Sequence, residues 1–173
     1  MRKGYIQVYT GNGKGKTTAS LGLALRAAGA GLKVFIAQFI KRRKCSEHKI
    51  IEERLNDLIT IKMYGKGFIL NREPTSDDIS AALEGYEEIK DILQIGKYDL
   101  VILDEINVAV NYNFIPACKL LEVMALKHKK VELVITGRNA NTDVMRKADL
   151  VTEMKALKHY KEKGVKARKG IEC

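Results

Sequence analysis

The chain has 173 residues, of which 46% are hydrophobic and 30% charged, a composition that packs a core and excludes a disordered or collagen-like protein. That length fits one domain over residues 1–173 and is enough to bury a core without disulfide or metal staples. Lys and Arg exceed Asp and Glu by 31 to 21, and the net charge of +10 suits an anionic partner such as nucleotide phosphates, a phosphorylated small molecule, nucleic acid or an acidic surface. No apolar run approaches the roughly 18 to 20 residues that span a bilayer, and Met1 to Tyr5 lead into strand-like sequence with no signal-peptide core. A cytoplasmic protein without membrane association is expected. Cys45, Cys118 and Cys173 are odd in number and widely spaced, which fits neither a disulfide framework nor a zinc knuckle, so reduced thiols are expected.

Along the chain, β-rich runs alternate with helical stretches. Strands are predicted at Tyr5 to Thr10, Lys33 to Phe39, Leu58 to Met63, Tyr98 to Asp104, Val131 to Thr136 and Leu150 to Met154. Helices are predicted at Thr17 to Ala28, Ser46 to Leu55, Ser76 to Leu93, Phe114 to Leu126 and Thr142 to Ala148. In the third of these, Ile79, Ala82, Leu83, Tyr86, Ile89 and Leu93 recur at helical spacing behind a Thr75/Asp78 capping box. Continuous apolar runs such as Leu100-Val101-Ile102-Leu103 read as strands buried on both faces. The expected fold is α/β, a mostly parallel, doubly wound sheet with helices on both faces. Its ligand site belongs at the carboxyl ends of the strands.

The first strand runs through Thr10 into Gly11, Asn12, Gly13, Lys14, Gly15, Lys16, Thr17 and Thr18, and a helix follows at once. This is the setting of a phosphate-binding loop, so the expected sheet is of the P-loop NTPase-like (RecA-like) kind. Glycines let backbone N–H groups converge on phosphate oxygens, the helix amino terminus adds partial positive charge, Lys16 reaches the phosphate tail, and the Thr17 hydroxyl suits Mg²⁺. Thr10 stands where the usual pattern has its first glycine, so the loop reads as starting at Gly11, one residue short, with a changed phosphate register. Asp104 and Glu105 end a buried strand where a second metal-binding arm belongs. Arg138 follows another strand and is aimed at phosphates. His48, His128 and His159 show no metal-ligand spacing and read as surface or basic-cluster residues. Gly65 to Leu70 reads as a loop carrying Phe68 and Leu70.

Five words together, Tyr9 to Thr18, Gln38 to Lys41, Leu103 to Asn107, Thr136 to Arg138 and Lys158 to Glu172, resemble the P-loop family of ATP:corrinoid adenosyltransferases, in order and over the whole chain. The resemblance implies transfer of the 5′-deoxyadenosyl group of ATP to the cobalt(I) of a corrinoid, with tripolyphosphate leaving. It implies Mg²⁺ and ATP as co-substrate, with ATP lying in the loop opposite to its usual direction. Lys16, Thr17 and Glu105 would be catalytic, Thr17, Asp104 and Glu105 would hold the metal, and the Gly11–Thr18 loop, Arg138 and Phe68 would bind substrates. A flavoprotein-type reductant and a homodimer are implied partners, and no nucleic acid is expected. Cobalt(I) is a nucleophile with no proton to lose, so no catalytic base is required. The sequence departs from the family where Leu70 replaces an expected Trp and Cys173 an expected aromatic, and it begins almost at its first strand, where relatives carry a helical extension. The competing reading is a P-loop ATPase or regulator acting on nucleic acid, suggested by the Lys41-Arg42-Arg43-Lys44 cluster and the cations from Lys155 to Lys169; it lacks helicase words and any Trp.

Overall fold

A computed structural model describes residues 3–67 and 74–173. In chain order the elements are β1 (Ile6–Thr10), α1 (Lys16–Gly29), β2 (Val34–Phe39), α2 (Ser46–Arg54), β3 (Ile59–Tyr64), α3 (Ser76–Ile95), β4 (Leu100–Asp104), α4 (Ile106–Asn111), α5 (Ala117–Leu126), β5 (Glu132–Thr136), α6 (Thr142–Lys147) and β6 (Leu150–Glu153). The six strands form one sheet in the order β3-β2-β4-β5-β1-β6, and each neighbouring pair is parallel.

Strand periodicity divides the core between the two faces. Phe35, Ala37 and Phe39 of β2, Val101 and Leu103 of β4 and Leu133 and Ile135 of β5 join one cluster with Tyr86, Ile89 and Leu93 of α3 and Leu120 and Val123 of α5. The intervening Val34, Ile36, Leu100, Ile102 and Val134 join the other, against Ala24, Ala27 and Ala28 of α1 and Ile51 of α2. Both faces are covered, which is why these central strands are apolar at consecutive positions. Each buried Val, Leu, Ile or Phe contributes about 1.5–3 kcal/mol by leaving water.

The α3 capping box forms as the sequence predicts, with the Thr75 amide donating to Asp78 Oδ2 at 2.9 Å and the Asp78 amide to Thr75 Oγ1 at 3.4 Å. Other expectations are revised. Helix α5 starts at Ala117, because Phe114 and Ile115 are buried in the chain before it and Pro116 is its N-cap. Helix α4 and a 3₁₀ turn at Tyr160–Lys163 were not foreseen from periodicity, each being too short to show it. Strand β6 is an edge strand exposed along its length. His48 is not a surface residue: it is 1% exposed, and its Nδ1 accepts from the Cys45 amide at 3.0 Å.

The cysteine expectation is also corrected. Cys45, at the start of α2, and Cys173 form a disulfide across a sequence separation of 128, with Cα atoms 4.6 Å apart. Their wide spacing concealed a proximity that only the tertiary fold creates. Cys118 is free and exposed. No helix among the described residues is long and apolar enough to cross a membrane.

Candidate functional site

The carboxyl ends of β1, β2, β4 and β5 meet at one edge of the sheet, and the loop from Gly11 to Gly15 lies there between β1 and α1. Its backbone needs glycine at two points: Gly11 has φ 94° and Gly15 has φ 121°. Gly11 also packs so closely on the chain after β6 that a Cβ there would lie 2.4 Å from the Met154 carbonyl oxygen. The Gly13 amide donates to that oxygen at 2.7 Å, so β6 supports the loop from below. Thr10, in place of the customary glycine, uses its hydroxyl to accept from the Ala140 amide at 3.2 Å, which ties the loop to the segment carrying Arg138.

Lys16 begins α1 and turns back into the loop, donating to the carbonyls of Gly11 and Gly13 at 2.7 Å each. It is only 6% exposed. Burial pulls its ammonium below the usual lysine range, Arg138 adds to this, and Glu105 and Asp104 oppose it. An anion in the loop would supply the missing compensation.

Beside it, Asp104 is buried and fully engaged. Its Oδ1 accepts from Thr17 Oγ1 at 2.9 Å and Thr136 Oγ1 at 2.8 Å, and its Oδ2 from Gln38 Nε2 at 3.0 Å and Lys41 Nζ at 2.8 Å. Glu105 follows in a left-handed conformation, φ 61°, fixed by its amide donating to Thr136 Oγ1 at 3.0 Å. Burial and the adjacent Asp104 raise its carboxyl above the usual range, against the opposing pull of Lys41, Lys16 and Arg138.

These groups open into a cavity of about 1190 Å³. Gly13 to Thr18, Glu105 and Arg138 line it, as do Lys41 to Arg43, Lys66 and residues 159 to 173 in part. The volume exceeds the roughly 300–1,000 Å³ of a typical small-molecule site. Gly11 and Asn12 shape the loop's entry, where Asn12 Oδ1 accepts from the Ala156 amide at 3.4 Å. Phe68 and Leu70 lie outside the described residues. The partners of Asp104 on neighbouring strands had no assigned role in the sequence; the signal was the parallel register, which sets Gln38 opposite Asp104. The clasp of Lys14 to Glu172 at 2.8 Å and to the Tyr160 hydroxyl at 2.6 Å was likewise unforeseen.

Thr17 and Glu105 offer a hydroxyl and a carboxylate to the cavity, hard oxygen donors of the kind Mg²⁺ takes, and Asp104, its oxygens taken by four donors, stands behind them on the Thr17 hydroxyl. Among the described residues no group of three or more His, Cys, Asp or Glu forms a self-sufficient metal cage. The donors therefore fit a cation that brings phosphate or water oxygens with it.

A parallel sheet with a glycine-rich loop feeding its first helix, backed by a strand-end acid on the helix's first threonine, defines the P-loop class of α/β proteins. Within that class the chain belongs to the ATP:corrinoid adenosyltransferase BtuR/CobO/CobP family, which matches residues 2–173. It is 37% identical over 174 residues to a corrinoid adenosyltransferase of Sinorhizobium sp, covering 98% of this chain and 80% of that protein. It is 34% identical over 171 residues to the corrinoid adenosyltransferase of Escherichia coli strain K12, covering 98% and 86%. The Salmonella typhimurium protein named corrinoid adenosyltransferase CobA is 33% identical at the same coverages. The nucleic-acid reading is not favoured by these relationships.

Proposed function

We propose that this chain, acting as one catalytic unit over residues 1–173, transfers the 5′-deoxyadenosyl group of ATP to the cobalt(I) of a corrinoid and releases tripolyphosphate. The observation that carries the reading is the placement of buried Lys16 beside the Thr17–Asp104 pair, at the floor of a cavity large enough for more than a nucleotide. In this reaction the cobalt(I) lone pair attacks C5′, the C5′–O bond breaks, and its electrons leave on the triphosphate. Lys16, Arg138 and the amides of the loop from Gly11 to Thr18 hold that leaving group. Thr17, Asp104 and Glu105 would hold Mg²⁺, which supplies charge neutralisation at the phosphates.

No side chain needs to remove a proton. The protein's work is positioning and preorganised positive charge, and one such contact is worth roughly 10² to 10³ in rate. Phe68 would lie against the corrinoid. A flavoprotein-type reductant supplies cobalt(I), and the setting is cytoplasmic. A homodimer is supported by the exposed edge of β6, where Leu150 and Val151 are 46% and 44% exposed.

Phosphorus NMR of a reaction with chemically reduced corrinoid, ATP and Mg²⁺ tests the assignment. Tripolyphosphate in proportion to adenosylcorrinoid is expected. Corrinoid-independent ADP as main product would replace it with an ATPase.

A further inference from the structure

Residues 159–173 wall one side of the cavity, yet none of the 3₁₀ turn at Tyr160–Lys163 is buried, and the segment from Lys161 to Gly170 is exposed throughout. It is held by few contacts, and they converge on its end. Glu172 accepts from Lys14, the Tyr160 hydroxyl and Arg168. Ser46 Oγ donates to the Cys173 carbonyl at 3.1 Å. The Cys45–Cys173 disulfide then bonds this end covalently to the start of α2, directly after the Lys41 to Lys44 run, of which Lys41, Arg42 and Arg43 line the same cavity. Exposed ion pairs contribute about 0–1 kcal/mol each, so the covalent bond is the dominant restraint on this wall.

We propose that Cys45 and Cys173 form a reversible redox site that takes small thiols and disulfides and clasps the wall of the nucleotide cavity. The inference rests on the nucleotide reading above only for what passes through the cavity. The chemistry of the pair is asymmetric. Cys173 is exposed, open to an attacking thiolate, whereas Cys45 is partly shielded. Cys45 sits at the amino terminus of a nine-residue helix and follows Arg42, Arg43 and Lys44, surroundings that stabilise a thiolate and make it the better leaving group.

A small thiolate attacks Cys173 Sγ, the S–S bond breaks, and its electron pair leaves on Cys45 Sγ. A second thiol then releases Cys173 from the mixed disulfide. The net change is one protein disulfide and two thiols to one protein dithiol and one small disulfide, and a small disulfide drives the reverse. Oxidised, the wall is fixed and slows passage of nucleotide; reduced, it opens. A reaction that consumes cobalt(I) proceeds only under reduction, so the clasp is open when the acceptor exists.

The test uses the full chain in a Cys118→Ser background, prepared with glutathione disulfide or with dithiothreitol. Thiol titration should find no free thiol in the first and two in the second. Trypsin should cut within residues 158–169 several-fold more slowly in the oxidised form. Release of the fluorescent nucleotide mant-ATP, followed by stopped flow, should also be several-fold slower when oxidised. Cys45→Ser should make both rates insensitive to redox state and equal to those of the reduced protein, with circular dichroism establishing that the variant is folded. Two free thiols after oxidation, or equal trypsin rates in the two forms, would overturn the clasp. Redox-dependent trypsin cutting without mant-ATP binding in either form would uphold the clasp and overturn the nucleotide reading.

Discussion

The Lys41 ammonium lies 2.8 Å from Asp104 Oδ2, with the two side chains 11% and 1% exposed. The contact spans the ends of β2 and β4, so it fixes the loop after β2 to the carboxylate that also receives Thr17. Removing one partner of a buried pair leaves the other charge without compensation. Lys41→Met should lower unfolding free energy by about 3 kcal/mol, toward the lower end for such pairs because Gln38, Thr17 and Thr136 still donate to Asp104. Urea denaturation measures it. Adding Asp104→Asn should recover part of the loss, and strictly additive losses would show that the two residues are not coupled.

Lys16 bonds only to carbonyls of its own loop among the described residues, so its removal is expected to leave the fold intact while stripping charge from the proposed phosphate site. Lys16→Ala should abolish measurable ATP binding by calorimetry with an unchanged circular dichroism spectrum. Thr17→Ala should reduce turnover by roughly 10² to 10³, as for loss of one preorganised contact. Wild-type kinetics in either variant would remove that side chain from the reaction.

The layout of these elements was legible in sequence because β2, β4 and β5 are buried on both faces, and because Gly11 to Thr18 keep chemistry and position together in one short run. The partners of Asp104 were less accessible. Gln38 and Thr136 reach it from two other strands and Lys41 from the loop after β2, and which strands flank β4 depends on sheet order, which alternation does not encode. The Cys45–Cys173 bond and the Glu172 clasp were hidden for the same reason, since segments far apart in sequence meet only at the cavity rim. His48 reads as exposed from sequence, because a lone polar residue in a helix gives no sign of the packing that leaves it 1% exposed.

Gly85 gives a test of packing away from the cavity. A Cβ there would lie 2.5 Å from Cγ of Tyr64, whose ring is itself held by its hydroxyl donating to Glu88 at 2.8 Å. Gly→Ala within a helix is ordinarily favourable by about 1 kcal/mol. Here the overlap falls on the root of a buried ring, and overpacking costs about 1–3 kcal/mol, so Gly85→Ala should destabilise. A raised thermal midpoint would show that α3 shifts away from β3 at no cost.

Glu105 should trade stability for function. Burial and the neighbouring Asp104 raise its carboxyl above its value in the unfolded chain, so the folded protein holds this proton more tightly. Below roughly pH 4, both states carry the proton and its favourable contribution to folding is complete. That contribution is lost as pH rises through the folded-state value, because an ionised carboxylate is then retained in a desolvated position beside Asp104. Glu105→Gln keeps the shape and stays neutral. Without ligands, its thermal midpoint should match wild type near pH 4 and exceed it at pH 7.5, the gap opening with pH. Its Mg²⁺-dependent turnover should fall by roughly 10² or more, since the carboxylate is absent where positive charge is to be held. Melting curves across that pH range, paired with turnover at pH 7.5, decide the matter. A wild type that is the more stable protein at neutral pH would mean that Lys16, Lys41 and Arg138 outweigh burial, and that Glu105 is a stabilising anion.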